Sequence, residues 1–396
     1  MRSSSCLRSI SLATLAGLVG LGGCETSSVG PVTNGSGGSS AGSGGAIGSG
    51  GAIGGSGGSG GATPVGSGGA PAPGTGGTVA PVDAASEVMM IEVGGDAPAA
   101  GWGGVAGIEN FSVVKPTDGC GMAPGQALNS WVQYNVTIPP AVPGRGTGNR
   151  VYFVKLPPNY NNMKPYLLIF TAPGCGGKGN SPTFDFASSA GTEGVIQVGV
   201  QPDPGASQNG GGTCFDDKRT MSVEYPYFDT MMAALGKKLC FDQHKVFFSG
   251  HSSGSWLSNQ MGCVYGMTKI RAIAPASGGL ADQPGEAPPC TELPTPGIWS
   301  HNEDEPKETD NPAGNPYVGT IRAVTRALKV NHCVGDFTTS KREPYPAIGT
   351  AMGICEKFSS CPPEFPIVLC HPPHGGHTDN LGPVPARAWQ FFKAIP

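Results

Sequence analysis

The chain has 396 residues, a net charge of −4, 66 glycines, 38 prolines and only 13% charged side chains. A globular domain carries about 25% charged residues, so part of this chain is compositionally unlike a domain. The weak negative charge, with no basic block, excludes nucleic acid as a partner. Beyond the N-terminus no segment has the unbroken apolar length, about 20 residues, that a membrane helix needs.

In chain order, Arg2 and Arg8 form a basic start, residues 10–21 are apolar but short for a span, and small residues follow. That is the pattern of an export signal. Leu21-Gly22-Gly23-Cys24 resembles a bacterial lipobox, so the expectation is a signal over residues 1–23 and a lipid on the Cys24 thiol. Any membrane contact then runs through that anchor alone. Residues 26–82 contain no charge and repeat Ser-Gly-Gly-Ala-Ile-Gly at 43–48 and 49–54. Such a stretch cannot bury enough apolar surface to offset its ordering entropy. Residues 25–85 therefore read as a flexible tether with a reach on the order of 40 Å. Residues 86–114 read either as more linker or as the domain start, and 115–396 as one domain, expected to be monomeric.

That domain holds ten cysteines, at 120, 175, 214, 240, 263, 290, 333, 355, 361 and 370. The number is even and no paired C-x-x-C spacing occurs, so an exported chain is expected to form up to five disulfides. Spacing leaves their connectivity open. Expected strands lie at 151–156, 166–172, 195–200, 245–249, 270–276, 297–301 and 365–369, and expected helices at 227–239, 253–263, 318–330 and 384–393. Phe228, Met231, Met232, Leu235 and Leu239 fall on one face of the first helix at helical spacing. Short apolar strands separated by helices predict an α/β fold, a mostly parallel sheet covered on both faces. Ligands then belong at the carboxyl ends of the strands.

At one such end stands Gly250-His251-Ser252-Ser253-Gly254, a G-x-S-x-G turn between the strand at 245–249 and the helix at 253–263. The pattern also matches around Ser40, Ser56 and Ser59, but there in low-complexity sequence without strand or helix. A serine on a sharp strand-to-helix turn needs small neighbours on both sides, and the turn aims the Ser253 N–H at a developing oxyanion. Ser252 is thus the candidate nucleophile. An alcohol needs a base within reach and an acid to orient that base. Of seven histidines, His371, His374 and His377 share the loop after the strand at 365–369, where the base of such a fold sits. His377, in Gly-Gly-His-Thr, fits best. The three-residue spacing of these histidines suggests a metal, but Pro372-Pro373 and Gly375-Gly376 oppose a helix that would align them. No cofactor or metal is expected. For the acid, Glu303, Asp304 and Glu305 qualify by position after the strand at 297–301, and Asp310 lies farther along. Asp304 is the choice, as the only aspartate of the nearer three. A second oxyanion donor is expected from the loop Pro173-Gly174-Cys175-Gly176-Gly177.

Gly174-Cys175-Gly176-Gly177, Cys214-Phe215-Asp216, the turn at Ser252 and Gly375-Gly376-His377, in that order, resemble the secreted feruloyl esterases and related polyhydroxybutyrate depolymerases, and Gly119-Cys120-Gly121 resembles the start of their domain. The resemblance covers residues 115 to 396. It implies an α/β-hydrolase fold and a serine esterase acting on feruloyl or acetyl esters of plant cell-wall polysaccharide, or else on a polyhydroxyalkanoate. By it Ser252, His377 and Asp304 would form the triad, with Cys175 and Ser253 giving oxyanion N–H groups. Pro173 stands where the family carries His, and the acid loop from His301 to Pro312 is longer than the family's. Both departures favour the rival reading, a surface protein that kept the fold, lost activity and binds carbohydrate or polymer.

Overall fold

The computed structural model describes residues 111–138, 148–203, 213–215, 223–281, 290–305, 318–347 and 354–396. The signal, Cys24 with its lipobox, the tether and Asp310 lie outside the described residues. The described elements are β1 (Trp131–Thr137), β2 (Asn149–Lys155), β3 (Tyr166–Ala172), α1 (Ala187–Ala190), β4 (Ile196–Val200), α2 (Glu224–Gly236), β5 (Phe241–His251), α3 (Ser253–Tyr265), β6 (Ala272–Ala276), β7 (Gly297–Ser300), α4 (Val318–Val330), β8 (Arg342–Pro344), β9 (Cys355–Phe358), β10 (Ile367–Cys370) and α5 (Val384–Ala394).

The strands form one sheet in the order β1-β2-β4-β3-β5-β6-β7-β10-β9-β8. From β4 to β10 neighbouring strands are parallel, whereas β2 runs antiparallel to both β1 and β4, and β8 and β9 continue antiparallel from β10. This is the α/β-hydrolase fold: β5, in the middle, leads straight into a helix at the turn that carries Ser252.

Strand alternation sorts the core onto two faces. Leu168 and Phe170 of β3 and Val246 and Phe248 of β5 pack with Phe228 and Met231 of α2, Leu257 of α3 and Val324 of α4. The intervening Ile169 and Phe247 point the other way, toward Phe186 and toward Trp389 and Phe392 of α5. The Phe247 and Phe392 rings stack with centroids 4.2 Å apart. Because the middle strands are buried on both faces, they read as unbroken apolar runs, which is why their expected ranges lie close to the observed ones.

β5 reaches farther than expected because its polar start, Asp242-Gln243-His244, is satisfied by the segment before β1. The Asp242 carboxylate accepts the Lys115 N–H at 2.9 Å, and the His244 ring meets the Val113 carbonyl at 2.7 Å. All ten cysteines pair, as Cys120–Cys240, Cys175–Cys214, Cys263–Cys290, Cys333–Cys361 and Cys355–Cys370. Five disulfides in one domain are the mark of an oxidising compartment. Among the described residues no helix is long and apolar enough to cross a membrane.

Candidate active site

The turn at Ser252 is built by sterics. Ser252 has φ 54° and ψ −122°, a conformation that L residues rarely adopt. A Cβ on Gly250 would stand 2.1 Å from the Gly254 carbonyl oxygen, and one on Gly254 2.1 Å from that of Ala172, so both neighbours must be glycine. Ser252 is half-buried, its N–H donates to the Ala276 carbonyl at 3.1 Å, and its own carbonyl accepts from Ser255 N–H and Trp256 N–H in the first turn of α3. The Ser253 N–H therefore sits at the N-terminus of a 13-residue helix, where backbone dipoles favour negative charge.

The loop after β3 lies against this turn. A Cβ on Gly174 would be 3.1 Å from Ser252 Cβ and 3.3 Å from His251 Nδ1. The next residue, Cys175, is tied to Cys214, and Gly176 N–H donates to the Thr213 carbonyl at 2.8 Å. Among the described residues neither Ser253 N–H nor Cys175 N–H has a hydrogen-bond acceptor.

The loops after β7 and β10 extend the parallel ladder beyond the strands. His301 N–H donates to the Cys370 carbonyl at 2.9 Å and Glu303 N–H to that of Pro372 at 2.8 Å. Three consecutive acids thereby face the three histidines. Glu303 meets His371 Nδ1 at 2.8 Å, Asp304 lies 3.5 Å from His374 Nδ1, and Glu305 Oε1 accepts from His377 Nδ1 at 2.6 Å. The expectation that Asp304 serves His377 differs from this geometry. The chain turns at Asn302, whose carbonyl accepts the Glu305 N–H at 3.2 Å, and folds Glu305 beneath the loop while leaving Asp304 outside. The Asp304 carboxylate instead accepts the Gly376 N–H at 2.9 Å, the main reason its pKa is held below the usual aspartate range. His371, given no partner by sequence reasoning, also reaches Glu356 at 3.2 Å. Each histidine of the tract thus has its own carboxylate, and among the described residues no group of three ligands could hold a metal.

Two residues that sequence reasoning left without roles hold this loop. Asn302 donates to the carbonyls of Gly376 and Asp379 at 2.8 and 3.0 Å. His251 Nε2 lies 3.0 Å from the His377 carbonyl, which can only accept, so Nε2 carries the proton. Burial lowers the proton affinity of His251, the ring is neutral, and the base loop is tied to the turn next to Ser252. Gly375 and Gly376, at φ 143° and 53°, permit the approach; a Cβ on Gly375 would strike the side chains of Asn380 and Asn302. With Nδ1–H given to Glu305, a neutral His377 keeps a lone pair on Nε2, the atom a general base uses.

No protein-family model matches the chain. It is similar to a probable feruloyl esterase C of Aspergillus terreus, 25% identical over 292 residues, which cover 71% of this chain and 92% of the fungal one. It is also 28% identical over 190 residues to feruloyl esterase D of Neurospora crassa, covering 42% of this chain and 56% of that protein. Of solved structures, an acetyl xylan esterase from Aspergillus awamori is similar over 66% of this chain and 99% of its own, with TM-score 0.46 and 14% identity.

Proposed function

We propose that the domain is an exported serine carboxylic-ester hydrolase in which Ser252, His377 and Glu305 act together, Glu305 replacing Asp304 as the acid. The observation that carries this reading is the 2.6 Å contact between the buried Glu305 carboxylate and His377 Nδ1, on a loop bound to the Ser252 turn. Ser252 Oγ attacks the ester carbonyl while His377 takes its proton, and the Ser253 and Cys175 N–H groups hold the oxyanion. His377 then protonates the leaving alcohol. A water, deprotonated by the same ring, releases the acid and restores the serine.

The substrate class we favour is a feruloyl or acetyl ester on plant cell-wall polysaccharide, supported by the names of the relatives, with a polyhydroxyalkanoate as the competing polymer. Cys24 and the tether would hold such an enzyme at the cell surface. The test is hydrolysis of methyl ferulate, p-nitrophenyl acetate and polyhydroxybutyrate by the domain, beside its Ser252→Ala variant. The expected result is turnover of the small esters that falls about 10⁶-fold in the variant with the fold intact. Retained turnover would remove Ser252 from the mechanism, and no turnover of any ester by the parent would favour the inactive binding protein.

A further inference from the structure

We infer that His301 is a positioning residue, an imidazolium buried behind Glu305, so that the unit serving Ser252 runs His301–Glu305–His377. The inference rests on the proposed role of Glu305.

The proton placement follows from Thr320. Its hydroxyl oxygen lies 3.0 Å from the Gly278 carbonyl and 2.9 Å from His301 Nδ1. A carbonyl only accepts, so the single hydroxyl proton goes to Gly278, and Nδ1 must be a donor. The other nitrogen, Nε2, stands 3.0 Å from Glu305 Oε2, with side chains 0% and 3% exposed. Were the ring neutral, with its proton on Nδ1, a lone pair would face the carboxylate, two buried acceptors with no proton between them. A second proton on the ring turns that conflict into a charge pair. Glu305 is then gripped from both sides, by His301 at Oε2 and His377 at Oε1.

Other charged or titratable groups also face this pair. His251 stands at the end of β5, Asp304 precedes Glu305 in its loop, and Asp379 and Arg387 line the same small cavity as His301. Arg387 is the competing cation. It is 3% exposed, and its Nε and Nη1 have no hydrogen-bond acceptor among the described residues.

An imidazolium at 301 offsets the pull of Glu305 on the His377 proton. Replacing it with a neutral amide should therefore move the acid limb of kcat/KM to higher pH, by about one unit for a charge a few ångströms away. In His301→Gln, kcat should also fall by roughly tenfold with KM unchanged, since Glu305 loses one of its two charged partners. Thr320→Val should shift the limb the same way, and Thr320→Ser and Arg387→Gln should leave it in place. An unmoved limb in His301→Gln, or the shift appearing only in Arg387→Gln, would overturn the inference.

A second measurement needs no turnover. In Ser252→Ala protein labelled with ¹⁵N-histidine, the resonances absent from the His301→Gln spectrum should report both ring nitrogens protonated at pH 7.5. A singly protonated ring would overturn the inference even if the esterase reading stands. A parent protein that hydrolyses no ester would fail that reading while the spectrum still decides His301.

Discussion

The outer and inner pairs along the two loops share one chemistry and differ in burial. Glu303 and Asp304 are 47% and 43% exposed beside His371 and His374, whereas Glu305 is 3% exposed beside His377. Water screens the outer contacts, so they contribute little energy or orientation. Around Glu305 the lower effective dielectric strengthens the charge and hydrogen-bond interaction, and burial fixes its geometry. Position in the sequence made the three acids equivalent; desolvation separates them.

The largest expected contrast lies among the histidines. His377→Ala should lower kcat by about 10⁶-fold, as for the base of a unit that acts as a whole. His371→Ala and His374→Ala should cost less than about fivefold, the range of a screened surface pair. Steady-state kinetics on methyl ferulate measures all three, and equal losses would erase the distinction between outer and inner pairs.

The disulfides sharpen the same division. Replacing Cys175 and Cys214 by serine should lower stability by about 2–4 kcal/mol and also slow turnover, because that bridge anchors the Cys175 N–H. Replacing Cys355 and Cys370, which joins β9 to β10 just before His371, should lower stability with kcat nearly intact. Urea denaturation and kinetics on each pair separate the two effects.

A smaller effect concerns pH. His251 binds its proton less tightly folded than unfolded, because burial disfavours the cation. Its stabilising contribution is therefore complete above the ordinary value of 6.5 and is lost as pH falls from there through the folded value. Melting temperature should begin to drop on that side, and His251→Gln should flatten this first step. An unchanged slope would mean that His251 does not tie the loop through a neutral ring.

Much of the fold was legible because the middle strands carry their own signal. The run Tyr166–Ala172 and the helix Val318–Val330 are written in apolar residues and periodicity alone. β1, β8 and β9 escaped notice because they lie toward the sheet edges and mix polar with apolar residues, so alternation never stands out. In the site, the turn at Ser252 and the loop of His377 were readable from glycine placement. The carboxylate that meets His377 was not, since residue type points to Asp304, while the turn at Asn302 that hides Glu305 depends on partners more than 70 positions away. His251 and Thr320 gave no signal, as their contacts exist only once β5, α4 and the final loop meet.

The most direct measurement of the account is kcat/KM for Glu305→Gln against Asp304→Asn on one soluble ester, with far-UV spectra to confirm folding. The predicted result is a loss of about 10⁴-fold in Glu305→Gln, the scale for removing the orienting acid, and a change below about fivefold in Asp304→Asn. A larger loss at Asp304 than at Glu305, with both variants folded, would contradict it.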